Sequence, residues 1–253
     1  MWSRVELKDR AKALLRQIYW SAFGVSIVIA LAGGNNGWSG GGGSHSGNSR
    51  DSIYVNIHNN SLIGWWLFPT LLTGFIVVLA LRIFIGYCLE VGGRRYFVQS
   101  AQYRNNKGCF SFGFNGRNYT GIVSSMLLMK IYIFLWSLLL IIPGIVKSYA
   151  YRMVPYILAE NPNIGAREAI ALSNEMTMGH KFDMFVLDLS FIGWYLLGVL
   201  ACGIGVLFVM PYENATNAEL YLVLRRNALN NNLCSYEDLL LDRPGYYDGN
   251  GMW

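Results

Sequence analysis

The fold is decided by residues 62–87, LIGWWLFPTLLTGFIVVLALRIFIGY, in which Arg82 is the one charged residue. A run of roughly 20 apolar residues is long enough to cross a bilayer as an α-helix. Arg82 lies near the end of the run, where a long basic side chain can reach the headgroups. The run therefore predicts a membrane-spanning helix.

The composition agrees with this class. Of the 253 residues, 53% are hydrophobic and 14% are charged, whereas soluble domains carry about 25% charged residues. The formal net charge is +5, but Lys and Arg stand in blocks beside apolar runs, where anionic headgroups are the nearest partner. We expect the lipid bilayer as a partner and no nucleic acid.

Five further apolar runs predict additional spans, at residues 17–32, 121–142, 145–160, 182–200 and 206–224. The run at 145–160 is short and contains Lys147, Arg152 and Pro155. Without it, however, the loop with Arg167 and Lys181 would lie outside, against the rule that Lys and Arg stay in the cytoplasm. The sequence thus predicts an all-α, polytopic transmembrane helical bundle of about six spans with both termini cytoplasmic.

The spans divide the chain into three parts. Residues 1–16 form a cytoplasmic amphipathic lead-in, residues 17–226 the six-span membrane domain, and residues 227–253 a cytoplasmic tail. Within the domain, the Gly-rich stretch 33–61 is expected to be a flexible exofacial loop. Residues 88–120 contain five arginine or lysine residues and are expected to be cytoplasmic. Residues 163–178 are expected to form a short interfacial helix capped by Asn163.

Two points at the ends of the chain stay open. Ala30-Leu31-Ala32 has the form of a signal-peptidase site, so residues 1–32 are either a cleaved signal peptide or an uncleaved first span. The later spans favour the uncleaved form. The acidic tail is either a docking peptide for a cytoplasmic partner or a frayed end.

Ionisable residues at membrane depth are costly and point to function or to internal pairing. The candidate intramembrane polar cluster consists of Lys130, Arg152, Glu213, Asn214, Asn217 and Tyr221. We expect Glu213 to pair with Arg152 or Lys130, either lining a small polar cavity or fixing helix register. Asp188 is a candidate partner for Arg82 or Lys130.

No catalytic, cofactor or metal site is expected. Gly37-Trp38-Ser39-Gly40-Gly41 fits the nucleophile-elbow pattern, but it lies in low-complexity loop rather than between a strand and a helix. The side chains of Met176, Met178 and His180 are of types that can bind copper. In an interfacial segment, however, such residues are more often packing residues than metal ligands. The chain is therefore predicted not to be an enzyme.

Several motifs together resemble the bacterial integral membrane family catalogued as domain of unknown function nine-seven-five. The motifs are Leu89-Glu90-Val91-Gly92, Arg95-Tyr96-Phe97, Ile141-Ile142-Pro143-Gly144-Ile145, Pro155-Tyr156 through Asn161-Pro162, Gly179-His180-Lys181, Ser190 through Trp194, Pro211-Tyr212 and Ala218 through Tyr221. The resemblance implies a multi-pass protein of the bacterial cytoplasmic membrane. It also implies distant similarity to the membrane domain of glycerophosphodiester phosphodiesterases, and it supplies no reaction.

The function expected from these observations is a non-catalytic accessory or interaction protein of the bacterial cell envelope, with a membrane or cytoplasmic protein as partner. A transporter or permease subunit with a polar intramembrane cavity is the first alternative, because Pro-interrupted helices carry charges near the midplane. A lipid-handling enzyme is the second alternative. It would need an acid or nucleophile at the interface, where Asp183, Asp188 and His180 are the candidates.

Overall fold

The computed structural model describes residues 2–33, 61–200 and 205–241, with the backbone alone for 61–67. The structure is all-α in these ranges. The helices are α1 (Arg4–Leu31), α2 (Ser61–Leu81), α3 (Tyr87–Ala101), α4 (Cys109–Phe114), α5 (Gly116–Leu139), α6 (Ile141–Ala150), α7 (Val154–Glu160), α8 (Ala166–Met176), α9 (Lys181–Leu200) and α10 (Gly205–Asn230). Residues 34–60 of the predicted exofacial loop and residues 242–253 of the predicted tail lie outside the described residues.

Four helices are long and apolar enough to cross a membrane: Arg4–Leu31, Phe68–Ala101, Gly116–Leu139 and Lys181–Leu200. They correspond to the first, second, third and fifth predicted spans. The chain is thus a multi-pass membrane protein by the length and composition of its helices.

The second span continues further than predicted. A π-helical turn, Arg82–Gly86, joins α2 to α3 without a break, so the helix runs on to Ala101. The segment from Cys88 onward was expected to be a cytoplasmic stretch beyond the span, but most of α3 is buried in the bundle. Gly92 and Gly93 permit this burial, since a Cβ on Gly92 would lie 2.9 Å from the carbonyl oxygen of Cys109.

The fourth predicted span is two short helices rather than one. The break between α5 and α6 falls at Leu140, whose φ of −158° and ψ of 140° are extended. The predicted spans placed this break at residues 143 and 144 instead, but Pro143 lies in the first turn of α6, where its missing N–H is tolerated. The sixth predicted span is part of the longer α10, in which buried polar residues lower the hydropathy.

The short helix predicted at residues 163–178 is present as α8 (Ala166–Met176), but its cap differs from the prediction. Gly165, with a φ of +98°, precedes the helix, and Asn163 lies outside it. A positive φ of this size favours glycine. Instead of capping α8, the Asn163 side chain faces Asn118, with a distance of 3.4 Å between its Nδ2 and the Asn118 Oδ1.

Helix α10 occupies the centre of the bundle and contacts α1, α3, α8 and α9. Helix α1 is kinked at Ile18, and both of its halves pack on the α9–α10 pair. Before the kink, the Lys8 ammonium lies 4.4 Å from the centre of the Phe191 ring. After it, Phe23 stacks on Phe208 with the ring centres 5.2 Å apart. In contrast, the side chains of residues 68–81 on α2 are almost all exposed.

Candidate intramembrane polar cluster

Helix α10 presents four polar side chains to the interior of the bundle. Glu213, Asn214, Asn217 and Tyr221 are 3%, 1%, 5% and 0% exposed. They lie on one side of the helix because positions i, i+1, i+4 and i+8 share a face. Burial of such groups is costly unless each finds a partner, so their contacts define what the site can do.

Arg152 is the centre of the first group of contacts. Its Nη1 and Nη2 donate to Oδ2 and Oδ1 of Asp188, each at 2.8 Å. Nη2 also donates to the Asn217 Oδ1 at 3.0 Å, and the Tyr149 hydroxyl donates to Asp188 at 2.9 Å. A two-armed guanidinium–carboxylate pair is strong and geometrically specific. It fixes the α6–α7 connection to α9 and α10.

Arg94 of α3 is the centre of the second group. Its Nη1 donates to the Asn214 Oδ1 at 2.7 Å and to the Tyr156 hydroxyl at 3.2 Å. The Asn214 amide in turn donates to the Ser26 hydroxyl at 3.0 Å. Glu90, one turn before Arg94, lies at 4.0 Å from it. This group ties α1, α3, α7 and α10 together.

Two further buried carboxylates, of Glu213 and Glu160, also have partners. Glu213 accepts a hydrogen bond from the Tyr195 hydroxyl of α9. Glu160 accepts from the Tyr221 hydroxyl and pairs with Arg225, while the Tyr221 ring stacks on Tyr156 at 5.3 Å. We call Arg94, Arg152, Asp188, Glu213, Asn214 and Asn217 the polar core.

The structure brings Arg152, Asn217, Asn214 and Glu213 into the polar core, but with partners other than those expected. Asp188, and not Glu213, is the ion-pair partner of Arg152. Lys130 is half-buried on α5, apart from this core, and makes no ion pair with a described residue. Arg82 instead donates to the carbonyl oxygen of Gly33 at 3.1 Å, so the predicted Asp188 partners were wrong.

Arg94, Glu90 and Tyr156 were missed by the sequence reasoning. The charge rule assigned the segment that contains α3 to the cytoplasm, so its charges were left out of the candidate intramembrane cluster. The available signal was the i, i+4 spacing of Glu90 and Arg94 next to Gly92-Gly93, since adjacent glycines allow another helix to approach closely.

The polar core lies apart from two cavities in the described part of the chain. One, of about 690 Å³, lies between α1, α9 and α10, and the other, of about 70 Å³, lies beside Arg95 and Leu239. Neither is lined by a residue of the polar core. Among the described residues, no three His, Cys, Asp or Glu side chains lie close enough to hold a metal ion.

Comparison with known proteins confirms the family resemblance. Residues 124–228 match the model of the family described as "Protein of unknown function (DUF975)". No curated protein and no solved structure gives a match. The matched residues run from within α5 into α10 and include Arg152, Asp188 and the polar face of α10. From residue 124 to residue 228, therefore, the chain carries a domain of the DUF975 family.

Proposed function

We propose that the chain is a non-catalytic membrane protein that acts as an accessory or interaction protein of the bacterial cell envelope. The observation that carries this proposal is the Arg152–Asp188 pair, in which both guanidinium arms face both carboxylate oxygens. A charge pair saturated in this way holds helices in register and leaves little capacity to bind a solute. A protein partner in the membrane or in the cytoplasm then carries the activity.

The exposed surface of α2 supports an interaction role. Its side chains from Phe68 to Leu81 are almost all exposed, while the helix meets the bundle chiefly at the π-helical turn that follows it. Apolar surface of this kind is covered by lipid or by a helix of another protein. Such a helix is available for lateral contact with a partner.

The proposed location is the bacterial cytoplasmic membrane, with both termini in the cytoplasm. The distribution of Lys and Arg supports six crossings, in which α6–α7 and α10 supply the two that are not long apolar helices. One observation favours four crossings instead. Arg16 and Gly205 line the same cavity. With six full crossings, Arg16 would lie at the cytoplasmic face, before the first span, and Gly205 at the outer face, between the fifth and sixth spans, about 30 Å apart.

A single cysteine distinguishes the two topologies, because α8 lies inside with six crossings and outside with four. In a background without native cysteines, Arg167→Cys is treated on intact cells with a membrane-impermeant maleimide. Protection of Arg167→Cys supports six crossings, and labelling supports four. Arg226→Cys is the matched control, since it is protected in both.

A transporter or permease subunit is the second candidate, favoured by the buried charges beside Pro211 in α10. Proteoliposomes that contain the purified chain, without any partner, decide between the two. The accessory role predicts no solute flux above that of protein-free liposomes. Flux that is lost in Glu213→Gln or Arg152→Gln would establish the transporter instead.

A further inference from the structure

The larger cavity is a groove with two chemically different walls. Helix α1 contributes Lys12, Leu15, Arg16 and Tyr19 to one wall, and α9 and α10 contribute the other. Its volume of about 690 Å³ falls within the range of roughly 300 to 1,000 Å³ that is typical of ligand sites.

Two glycines explain why the groove is open. Gly198 and Gly205 bring α9 and α10 into backbone contact: a Cβ on Gly198 would lie 2.7 Å from the Val206 nitrogen, and one on Gly205 would lie 2.7 Å from the Gly198 Cα. Because neither residue has a side chain, the space between these helices and α1 stays open among the described residues.

The wall formed by α9 and α10 is apolar and continuous with the exposed end of α9. Trp194, Leu197 and Phe208 line it with exposed fractions of 52%, 60% and 44%. Beyond them, Leu196 and Leu200 are 61% and 81% exposed. Hydrocarbon chains that cover the end of α9 can therefore enter the groove from the side.

The α1 wall is cationic. Arg16 is exposed and makes no ion pair with any described residue, while Lys12 shares one exposed contact with Asp9 at 3.4 Å. Exposed ion pairs of this kind contribute little free energy. The described lining contains no acidic side chain, so an anion beside these two cations meets no repulsion from it.

We propose that this groove binds one anionic phospholipid, with its phosphate held by Lys12 and Arg16 and an acyl chain against Leu197 and Phe208. The chemistry that identifies the occupant is the combination of two cations on one wall with a lipid-accessible apolar wall opposite. Tyr19 and Trp194 line the same groove, and amphipathic aromatic side chains of this kind are enriched at headgroup level. The site does not depend on the accessory role proposed above.

The test uses the full-length chain in a non-ionic detergent. Native mass spectrometry compares phosphatidylglycerol with phosphatidylcholine of the same acyl chains. We expect retention of phosphatidylglycerol and little of phosphatidylcholine. Lys12→Gln with Arg16→Gln should weaken phosphatidylglycerol binding about thirtyfold, the combined contribution of two basic residues at a membrane surface.

Two further variants make the result specific to the groove. Arg167→Gln with Arg226→Gln removes two exposed cations elsewhere and should leave phosphatidylglycerol binding unchanged. Leu197→Trp should fill the groove and weaken binding while both cations remain. Equal retention of the two lipids, equal losses in the two double variants, or undiminished binding in Leu197→Trp would each overturn the proposal.

Discussion

Arg152 and Asp188 face each other through two parallel hydrogen bonds of 2.8 Å, whereas Glu213 was the expected partner of Arg152, and Arg82 or Lys130 that of Asp188. The Arg152 side chain is 4% exposed and that of Asp188 is 18% exposed. The carboxylate thus comes from α9, and it joins that helix to the α6–α7 connection.

Removal of one partner of this pair should destabilise the bundle strongly. Asp188→Asn leaves a buried guanidinium without a counter-charge, and we expect a loss of about 3 to 5 kcal/mol in the free energy of unfolding. Arg152→Met together with Asp188→Leu should recover part of this loss, since no charge is then left unpaired. Thermal unfolding in detergent measures both.

The control is the ion pair between Arg10 and Glu6, whose side chains are 45% and 54% exposed. Because solvent screens this pair, Glu6→Gln should cost less than about 1 kcal/mol. If Asp188→Asn were no more harmful than Glu6→Gln, Arg152 and Asp188 would not be the structural pair described above.

The polar face of α10 could be predicted from the sequence, but its partners could not. The i, i+1, i+4 and i+8 spacing is a local property of one helix, and all four side chains are buried as expected for residues that face the bundle. The partner of Arg152 depends on how α9 packs on α6, which no local pattern specifies. Arg94 was missed for a related reason. Helix α3 continues the second span but contains charged residues, and the charge rule assigns such a segment to the cytoplasm.

Close packing of α5 on the α7–α8 connection at Gly121 gives a second prediction. A Cβ at this position would lie 2.2 Å from the carbonyl oxygen of Pro162, a backbone atom, whereas a Cβ on Gly24 would meet nothing within 4 Å. Gly121→Ala should therefore destabilise the protein by about 1 to 3 kcal/mol. Gly24→Ala is the matched control and should be neutral or slightly stabilising. Equal melting temperatures for the two variants would contradict this packing.

The thiol of Cys234, in the segment that follows α10, should react slowly. Burial, together with the nearby carboxylates of Asp238 and Glu160, raises its pKa to about 11. Since the thiolate is the nucleophile, alkylation by iodoacetamide at pH 8 should be about a hundredfold slower than for an ordinary cysteine. The rate should rise about tenfold per pH unit up to pH 10.

Peptide-resolved mass spectrometry follows this reaction at Cys234 without removal of the other cysteines. Protein unfolded in detergent is the control, because the same thiol then has its ordinary pKa and reacts faster at pH 8. A native rate at Cys234 that already levels off near pH 9 would show that the thiol is not in this environment.

Variants of Glu213 test whether its hydrogen bond or its charge contributes to stability. Gln at this position still accepts a hydrogen bond from Tyr195, so Glu213→Gln should change stability by only about 1 kcal/mol. Glu213→Leu leaves the Tyr195 hydroxyl without this acceptor and should cost more. If Glu213→Gln unfolds the protein, the charge itself is required and the hydrogen bond does not explain the role of this residue.

The proposed accessory role is tested most directly by gentle purification of the tagged chain from its native membrane, followed by mass spectrometry of the proteins and small molecules that accompany it. The account predicts a second protein in stoichiometric amount, retained in the Lys12→Gln/Arg16→Gln variant even where bound phosphatidylglycerol is lost. A chain that is purified alone and holds a water-soluble solute, released by Glu213→Gln or Arg152→Gln, would contradict it.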